Sequence, residues 1–345
     1  MTQRSNATTV ARTLLGASAV TAGAFYAVAD YLFRFVLEPG WKHSLFHSSQ
    51  PDTTLAARQP HYDAQEETEA AQWFEDAKRE ATITAFDGVR LHGWVLDPDC
   101  ANPPQHLYAI CCHGYSGEPA EMAKYAHRFS KLGFTVFTPA SRCHELSGGT
   151  YIGMGALEHR DLLRWIDAIV TSDPKSQILL DGNSMGAATV MLAVGNPKLP
   201  NNVKAAIADC GYASLEDQFL YSAKNLYHIP PFIARPAIRI MSSIARHRAG
   251  YSFSEASCVE ALRHTSIPML FIHGSADDFV SPANLDRNFR ACASTVKQKL
   301  MIPGAAHAMA ASTDPKRYWK TVTAFVRQTF QFEKPKGISG YVIFN

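Results

Sequence analysis

Ser184 is the residue whose surroundings most directly suggest chemistry. It lies at the centre of the pentapeptide Gly-Asn-Ser-Met-Gly at 182–186, between an apolar run that predicts a strand and a run of small apolar residues that predicts a helix. A tight turn from strand to helix needs glycine on both sides, because the backbones pass closely there, and it presents the central hydroxyl at the edge of the sheet. The pattern predicts Ser184 as a nucleophile, although the same residue types also occur in turns that only start a helix.

Two later residues could activate this hydroxyl. Asp277 follows a predicted buried strand, and His307 lies on the loop after another predicted strand. A serine hydroxyl is a weak nucleophile until an imidazole takes its proton, and a carboxylate can hold that imidazole in the required tautomer. We therefore predict Ser184 as the nucleophile, His307 as the base and Asp277 as the carboxylate. The adjacent Asp278 is the alternative for the third position.

Backbone amides normally stabilise the negative charge that forms on the carbonyl oxygen during acyl transfer. The residue after the nucleophile, Met185, should supply one of them, and the turn after an early strand should supply the other. The apolar run 107–112 leads directly into His113-Gly114-Tyr115, so the N–H of Tyr115 is the predicted second donor. His113 is expected to make structural hydrogen bonds rather than to act as an acid or base.

The chain resembles the α/β-hydrolase superfamily, and within it the bacterial membrane-anchored cell-surface hydrolases near the serine-aminopeptidase and BEM46-like branches. The resemblance spans about residues 30–330, and the chain order serine, aspartate, histidine agrees with it. It implies hydrolysis of an ester or a related acyl bond, with no metal and no organic cofactor. Family members usually read Arg-Gly-His-Gly-x-Ser-x-Gly at 142–149, where Cys143 and Glu145 replace the two glycines here. The other segments that carry the resemblance are 87–94, 113–115, 151–155 and 209–212.

The apolar runs alternate with helical segments and predict a mostly parallel sheet covered by helices on both faces. The resemblance implies that this is the α/β-hydrolase fold. A turn at 87–88, Asp-Gly, predicts an antiparallel hairpin before the parallel strands. The hydrolase domain is predicted at 81–331, with a helical lid inserted at about 215–265, because the interval between Asp209 and Pro268 is too long for a simple crossover. The other predicted regions are an N-terminal segment at 1–40, a linker and lead-in helix at 41–80, and a C-terminal tail without assignment at 332–345.

The lid is expected to set the substrate, since loops and caps vary in such folds more than the catalytic residues do. The turn after His113 has no run of glycines, so we expect a small-molecule ester with an unbranched acyl chain of short to medium length. Two alternatives stay open, a serine aminopeptidase-like amide hydrolase and a catalytically silent surface scaffold on the same fold. A minority of the apolar lid residues are expected to line an acyl pocket and the rest to pack the helices: Phe219, Leu220, Tyr221, Leu226, Tyr227, Phe232, Ile238 and Met241.

Composition argues against several other functions. The 345 residues are 46% hydrophobic, which suits one large α/β domain, and the formal net charge is +2. No basic tract is interleaved with aromatic residues, so no nucleic-acid partner is expected. The seven cysteines include no Cys-x-x-Cys pair, and His159 and Asp161 are two apart on a predicted helix, so no metal site is predicted. The sequence does not indicate an oligomeric state.

The N-terminal segment suggests a location for the protein. The stretch from Thr13 to Ala29 carries no charge, and Arg4 and Arg12 precede it. This pattern favours a single-pass membrane anchor with the catalytic domain outside the cytoplasm. A cleaved signal peptide with secretion and an ordinary soluble helix are the alternatives.

Overall fold

An eight-stranded sheet organises the part of the chain that the computed structural model describes, which is residues 23, 25–45 and 56–330. The strands are β1 (Arg79–Thr84), β2 (Arg90–Leu96), β3 (Leu107–Cys112), β4 (Thr135–Pro139), β5 (Gln177–Asn183), β6 (Val203–Asp209), β7 (Met269–Gly274) and β8 (Lys297–Ile302). Their spatial order is β1-β2-β4-β3-β5-β6-β7-β8. β2 pairs antiparallel with β1 and with β4, and every other neighbouring pair in this sheet is parallel. The hairpin predicted at 87–88 is therefore present.

Helices lie on both sides of this sheet. They are α1 (residues 25–37), α2 (Ala64–Ala77), α3 (Ala123–Lys131), α4 (Glu158–Ser172), α5 (Met185–Val194), α6 (Leu215–Asn225), α7 (Pro231–Ala249), α8 (Cys258–Leu262), α9 (Ala283–Ala291), α10 (Ala310–Thr313) and α11 (Pro315–Thr329). Short 3-10 helices occupy Ala56–Arg58, Pro119–Met122 and Phe253–Glu255.

Each face of the sheet has its own buried core, because alternate residues of a strand point to opposite faces. In β3, Ile110 and Cys112 belong to the core that includes α4 and α5, whereas Ala109 and Cys111 belong to the core that includes α3 and α11. The strand is apolar at successive positions, as a parallel sheet covered on both faces requires. The predicted fold class is confirmed.

The helix α5 is apolar on all sides because it is surrounded by the rest of the domain. All ten of its residues are buried, and it packs against β5, β6, α4 and α8. A helix without a polar face belongs in a protein core, where it has little freedom to move. The residue immediately before α5 is Ser184, so the predicted nucleophile lies at the end of a tightly packed element.

The helix α1 packs on the domain through a stripe with a spacing of four residues. Ala29, Phe33 and Leu37 are buried in the core shared with α4 and α5. Asp30 is paired with Arg248 of α7 at 2.7 Å between carboxylate and guanidinium. Large apolar side chains of α1 that lie outside this buried stripe are exposed: Phe25, Tyr26, Val28 and Tyr31.

The predicted anchor at 13–29 lies mostly outside the described residues. Within the described ranges, no helix combines the length and the apolar composition that crossing a membrane requires. The predicted tail at 332–345 also lies outside the described residues.

The segments predicted as lid and lead-in region are mostly helical, and their helices bury only some of their apolar side chains. Ile238 and Met241 of α7 are buried in the main core, so they pack helices and do not line a pocket. In α2 the buried residues are Ala70 and Phe74, while Trp73 is only partly buried and stacks on His127.

Candidate active site

Ser184 lies on the turn between β5 and α5 with a backbone that few residues other than glycine adopt. Its φ is 55° and its ψ is −112°, and its N–H donates to the carbonyl of Asp209 at 2.9 Å. A Cβ at position 182 would lie 2.4 Å from the carbonyl carbon of Gly186, and one at position 186 would lie 2.1 Å from the carbonyl oxygen of Cys112. Both glycines are therefore needed for the close backbone approach that presents the Ser184 hydroxyl.

The structure brings Ser184, His307 and Asp277 into one chain of hydrogen bonds. Nε2 of His307 lies 2.9 Å from Oγ of Ser184, and Nδ1 of His307 lies 2.8 Å from Oδ2 of Asp277. An ionised carboxylate can only accept, so Nδ1 carries the proton and Nε2 of a neutral ring is left to accept from the serine hydroxyl. This is the arrangement in which His307 can take the serine proton.

Asp277 is buried, yet its surroundings favour the ionised form. Oδ1 accepts from the backbone N–H groups of Phe279 and Val280, at 3.0 and 2.7 Å. Burial by itself would raise the pKa of Asp277, but hydrogen bonds from His273 and His307 outweigh it and lower that pKa to about 2. The neighbouring Asp278 is exposed, so the geometry favours Asp277 for the carboxylate position.

His273 is a contributor to this site that the sequence analysis did not single out. It is the penultimate residue of β7, four residues before Asp277. Its Nε2 lies 3.1 Å from Oδ2 of Asp277 and 3.1 Å from the carbonyl oxygen of Val280. Both neighbours accept, so Nε2 must carry the ring proton. The sequence signal that could have identified His273 is its position near the end of a predicted strand, four residues before Asp277.

The turn after β3 passes directly over the nucleophile. A Cβ at Gly114 would be 3.6 Å from Cβ of Ser184. Two histidines hold this turn: Nδ1 of His113 bonds the Gly114 carbonyl at 2.7 Å, and Nε2 of His144 bonds the Tyr115 carbonyl at 2.5 Å. These two bonds fix the turn. The predicted oxyanion donors are the N–H of Tyr115 in this turn and the N–H of Met185 at the first position of α5.

The role expected for His113 agrees with its contacts. Besides donating to Gly114, it accepts from the N–H of Ser141 through Nε2 at 3.0 Å. Burial, with a contribution from the neighbouring His144, lowers the pKa of His113 to about 3, so the ring is neutral and both nitrogens are used. His113 therefore links the turn over Ser184 to the segment that follows β4.

The segment 142–149 keeps a glycine-like backbone although Cys143 and Glu145 replace the usual glycines. Their φ values are 65° and 45°, in the left-handed region. The carboxylate of Glu145 accepts from Nε1 of Trp94 at 3.0 Å and lies 3.2 Å from Nδ1 of His92. These bonds offset part of the backbone strain at Glu145.

The helix α6 lies against the catalytic loops. The side chain of Gln218 donates to the carbonyl of Phe279 at 2.9 Å, two residues after Asp277. The pKa of Tyr221 is raised by partial burial and by the nearby carboxylates of Asp277 and Asp278. Both contacts place this part of the predicted lid beside the carboxylate of the site.

Gln59, in the predicted linker, is a second residue that sequence reasoning missed. Its Nε2 donates to the carbonyl of Gly304 at 2.6 Å, and its Oε1 accepts from the N–H of Ala306 at 2.9 Å. These contacts hold the loop that carries His307, across a separation of about 245 residues. No short sequence pattern predicts a contact between residues so far apart in the chain.

The described residues contain one group with the ligand types of a metal site, at His61, Asp63 and Glu67. The ammonium of Lys124 already bonds Asp63 at 2.8 Å and Glu67 at 2.6 Å, so a positive charge is present at this position. The group therefore joins α2 to α3. Asp161, considered above, pairs with the buried guanidinium of Arg142.

Part of the chain matches a known protein family, and longer stretches of it are similar to individual proteins. A family model described as serine aminopeptidase, S33, matches residues 104–249. The uncharacterized protein YqkD of Bacillus subtilis is 28% identical over 255 residues, which are 73% of this chain and 81% of YqkD. The uncharacterized protein YfhR of Salmonella typhimurium is 26% identical over 66% of this chain and 73% of its own length.

Two solved structures share the fold at low identity. The esterase Pf2001 of Pyrococcus furiosus superposes with a TM-score of 0.59 and 21% identity, over 74% of this chain and 95% of that protein. The acylaminoacyl peptidase of Pyrococcus horikoshii gives a TM-score of 0.54 and 15% identity, over 76% of this chain but only 43% of the peptidase. Together with the sheet topology, these similarities show that the chain has the α/β-hydrolase fold, and the family match over 104–249 supports an assignment to that superfamily.

Proposed function

We propose that the protein is a serine hydrolase that cleaves carboxylic esters with short to medium, unbranched acyl chains. The observation that carries the proposal is the continuous hydrogen-bond chain from Ser184 through His307 to Asp277 at a strained turn between strand and helix. The family match and the esterase and peptidase folds support a hydrolase in general.

The reaction proceeds in two halves. Nε2 of His307 takes the proton of Ser184 as Oγ attacks the ester carbonyl carbon, and the N–H groups of Tyr115 and Met185 stabilise the oxyanion. The intermediate collapses as His307 gives its proton to the leaving alkoxide, which leaves an acyl-serine. Water, deprotonated by His307, then attacks the acyl carbon, and Ser184 regains its proton as the carboxylic acid departs. Asp277 stabilises the imidazolium in both halves.

A second candidate is an amide hydrolase of the serine aminopeptidase kind. The specific observation in its favour is the family match over 104–249, a range that includes Ser184 and both predicted oxyanion donors. Peptide cleavage uses the same catalytic residues and differs in what the lid must hold.

Hydrolysis of two substrate series separates these candidates. We expect p-nitrophenyl acetate and butyrate to be cleaved faster than the palmitate, and all three faster than alanyl and prolyl p-nitroanilides. Ser184→Ala should lower kcat by about a thousandfold or more, whereas the exposed-serine control Ser266→Ala should match wild type. Faster cleavage of the anilides would support the peptidase instead, and equal rates for wild type and Ser184→Ala would contradict both.

The N-terminal segment is proposed to anchor the chain in the cell membrane with the catalytic domain outside the cytoplasm. The support is the uncharged stretch 13–29 after Arg4 and Arg12. Secretion after signal cleavage is the alternative. Membrane fractionation followed by protease treatment of intact cells tests the proposal, because an anchored external domain is membrane-bound and digested.

A further inference from the structure

Exposed apolar side chains concentrate at the turn between α6 and α7. Leu226, Tyr227, Phe232 and Ile233 are exposed within eight residues of sequence, and Phe232 has 76% of its surface exposed. Single exposed apolar residues are normal on a soluble surface, but a contiguous group of this kind marks a contact with another apolar phase.

The outward face of α7 continues this surface with basic residues. Arg235 and Arg239 follow Phe232 at spacings of three and seven residues, so the three side chains share one exposed face, opposite the buried Ile238 and Met241. Residues 226–254 contain no aspartate or glutamate. Arg235 and Arg239 make no ion pair within the described part of the chain, in contrast to Arg248 with its partner on α1. Apolar residues beside unpaired arginines are typical of helices that lie in a membrane interface.

The start of the described chain lies beside the same helix. A cleft of about 290 Å³ is lined by Tyr26 of α1 and, on α7, by Arg239, Ser243 and His247 among others. The described chain therefore begins next to α7. The N-terminal anchor proposed above would hold this face of α7 close to the bilayer.

We propose that the turn between α6 and α7 and the outward face of α7 form a surface that binds membranes containing anionic lipids. Phe232, Ile233 and Tyr227 enter the interface, and Arg235 and Arg239 bind lipid phosphates. This surface adjoins the catalytic loops through α6, whose Gln218 bonds Phe279, so the proposal goes beyond hydrolysis and points to acyl substrates taken from the membrane.

Fluorescence of an added indole tests contact directly and does not depend on catalysis. The full chain with Phe232→Trp is mixed with vesicles of brominated phosphatidylcholine and phosphatidylglycerol, and its emission is compared with that of wild type, which has five tryptophans. The control is Tyr62→Trp, at an equally exposed aromatic position before α2. We expect the brominated lipid to quench the added emission of Phe232→Trp and not that of Tyr62→Trp.

The arginines are tested by adding Arg235→Gln and Arg239→Gln to Phe232→Trp. We expect about twenty-five-fold more phosphatidylglycerol vesicles to be needed for half-maximal quenching, since each arginine contributes about fivefold near an anionic surface and the two contributions multiply. The paired control Arg290→Gln and Arg327→Gln changes exposed arginines on α9 and α11 and should have no effect.

Unquenched emission from Phe232→Trp in chains bound to vesicles would overturn the proposal, even if the N-terminal segment anchors the chain. A blue shift of that emission with rising protein concentration and no lipid would show that a second copy covers the surface, which would also overturn it.

Discussion

Two imidazole nitrogens hold Asp277, one from His273 near the end of β7 and one from His307 on the loop after β8. His307 bonds its Oδ2 at 2.8 Å, and His273 lies 3.1 Å from the same oxygen. Two backbone amides occupy Oδ1. Because four donors converge on one buried carboxylate, its position is over-determined, and the ring of His307 is aligned with Ser184 before any substrate binds.

Removing the His273 donor should loosen this arrangement. We expect His273→Asn to lower kcat about tenfold with little change in KM, because the shorter side chain cannot reach Asp277. The lowered pKa of Asp277 contributes stability above about pH 4 that is lost as the pH falls toward about 2. The stability difference between variant and wild type should therefore shrink in strong acid.

Steady-state kinetics and denaturant unfolding at several pH values measure both effects. The exposed His264→Asn serves as control. A variant with unchanged kcat, or with a stability loss that does not depend on pH, would show that His273 only fills space.

At the scale of elements, the catalytic loops are supported by segments distant in sequence. Gln59 braces the loop after β8, Gln218 of α6 bonds the loop after β7, and His113 and His144 hold the turn after β3. Each loop follows a strand of the parallel sheet, so the residues next to the strand are held rigidly. The position of the residues farther along the loop depends on these contacts.

Gln59→Ala tests one of these supports. We expect kcat to fall about tenfold while KM stays nearly constant, because the backbone at Gly304 and Ala306 loses both bonds and His307 is less well placed. Gln59→Glu keeps the acceptor for Ala306 but cannot donate to Gly304, so an intermediate loss is expected. Gln72→Ala, on the exposed face of α2, is the control. Equal kcat for all four proteins would contradict a positioning role.

At the scale of the whole molecule, two buried carboxyl groups tie stability to pH. Asn183 pairs with Asp209 and Asp181 with Ile207 across β5 and β6, so Asp181 and Asp209 point to the same face of the sheet. Burial raises the pKa of Asp209 to about 6 and the pKa of Asp181 well above its ordinary value. Neither has a salt-bridge partner among the described residues.

A carboxyl with a raised pKa in the folded chain stabilises the fold while it is protonated. For Asp209 this contribution is complete below about pH 4 and is lost as the pH rises through about 6, an effect of about 3 kcal/mol. We expect Asp209→Asn to gain stability relative to wild type by about this amount between pH 4 and pH 7. The exposed Asp76→Asn should show no such trend.

Urea unfolding across this pH range measures the difference. If Asp209→Asn does not fold, Asp181→Asn tests the same idea at the neighbouring strand. Parallel pH profiles for variant and wild type would mean that the pKa of Asp209 is the same in the folded and the unfolded chain.

The strands and the turn around Ser184 could be predicted from short stretches of sequence. The turn around Ser184 is recognisable because its glycines are required sterically, and the strands are recognisable because both of their faces are buried. The contacts of Gln59 and His273 cannot be recognised in the sequence, because they depend on which distant segments meet in the folded chain. The burial of Ile238 and Met241 likewise depends on how α7 packs, which apolar spacing alone does not decide.

Labelling with a fluorophosphonate probe shows whether Ser184 is an activated nucleophile. Phosphonylation requires a serine hydroxyl whose proton is taken by a base, and we expect one modified peptide, containing Ser184, in the wild-type chain. Ser184→Ala should remain unlabelled although folded, and His307→Ala should label far more slowly. A folded wild-type chain that does not react, or that reacts at another serine, would contradict the assignment of Ser184, His307 and Asp277 as the catalytic residues.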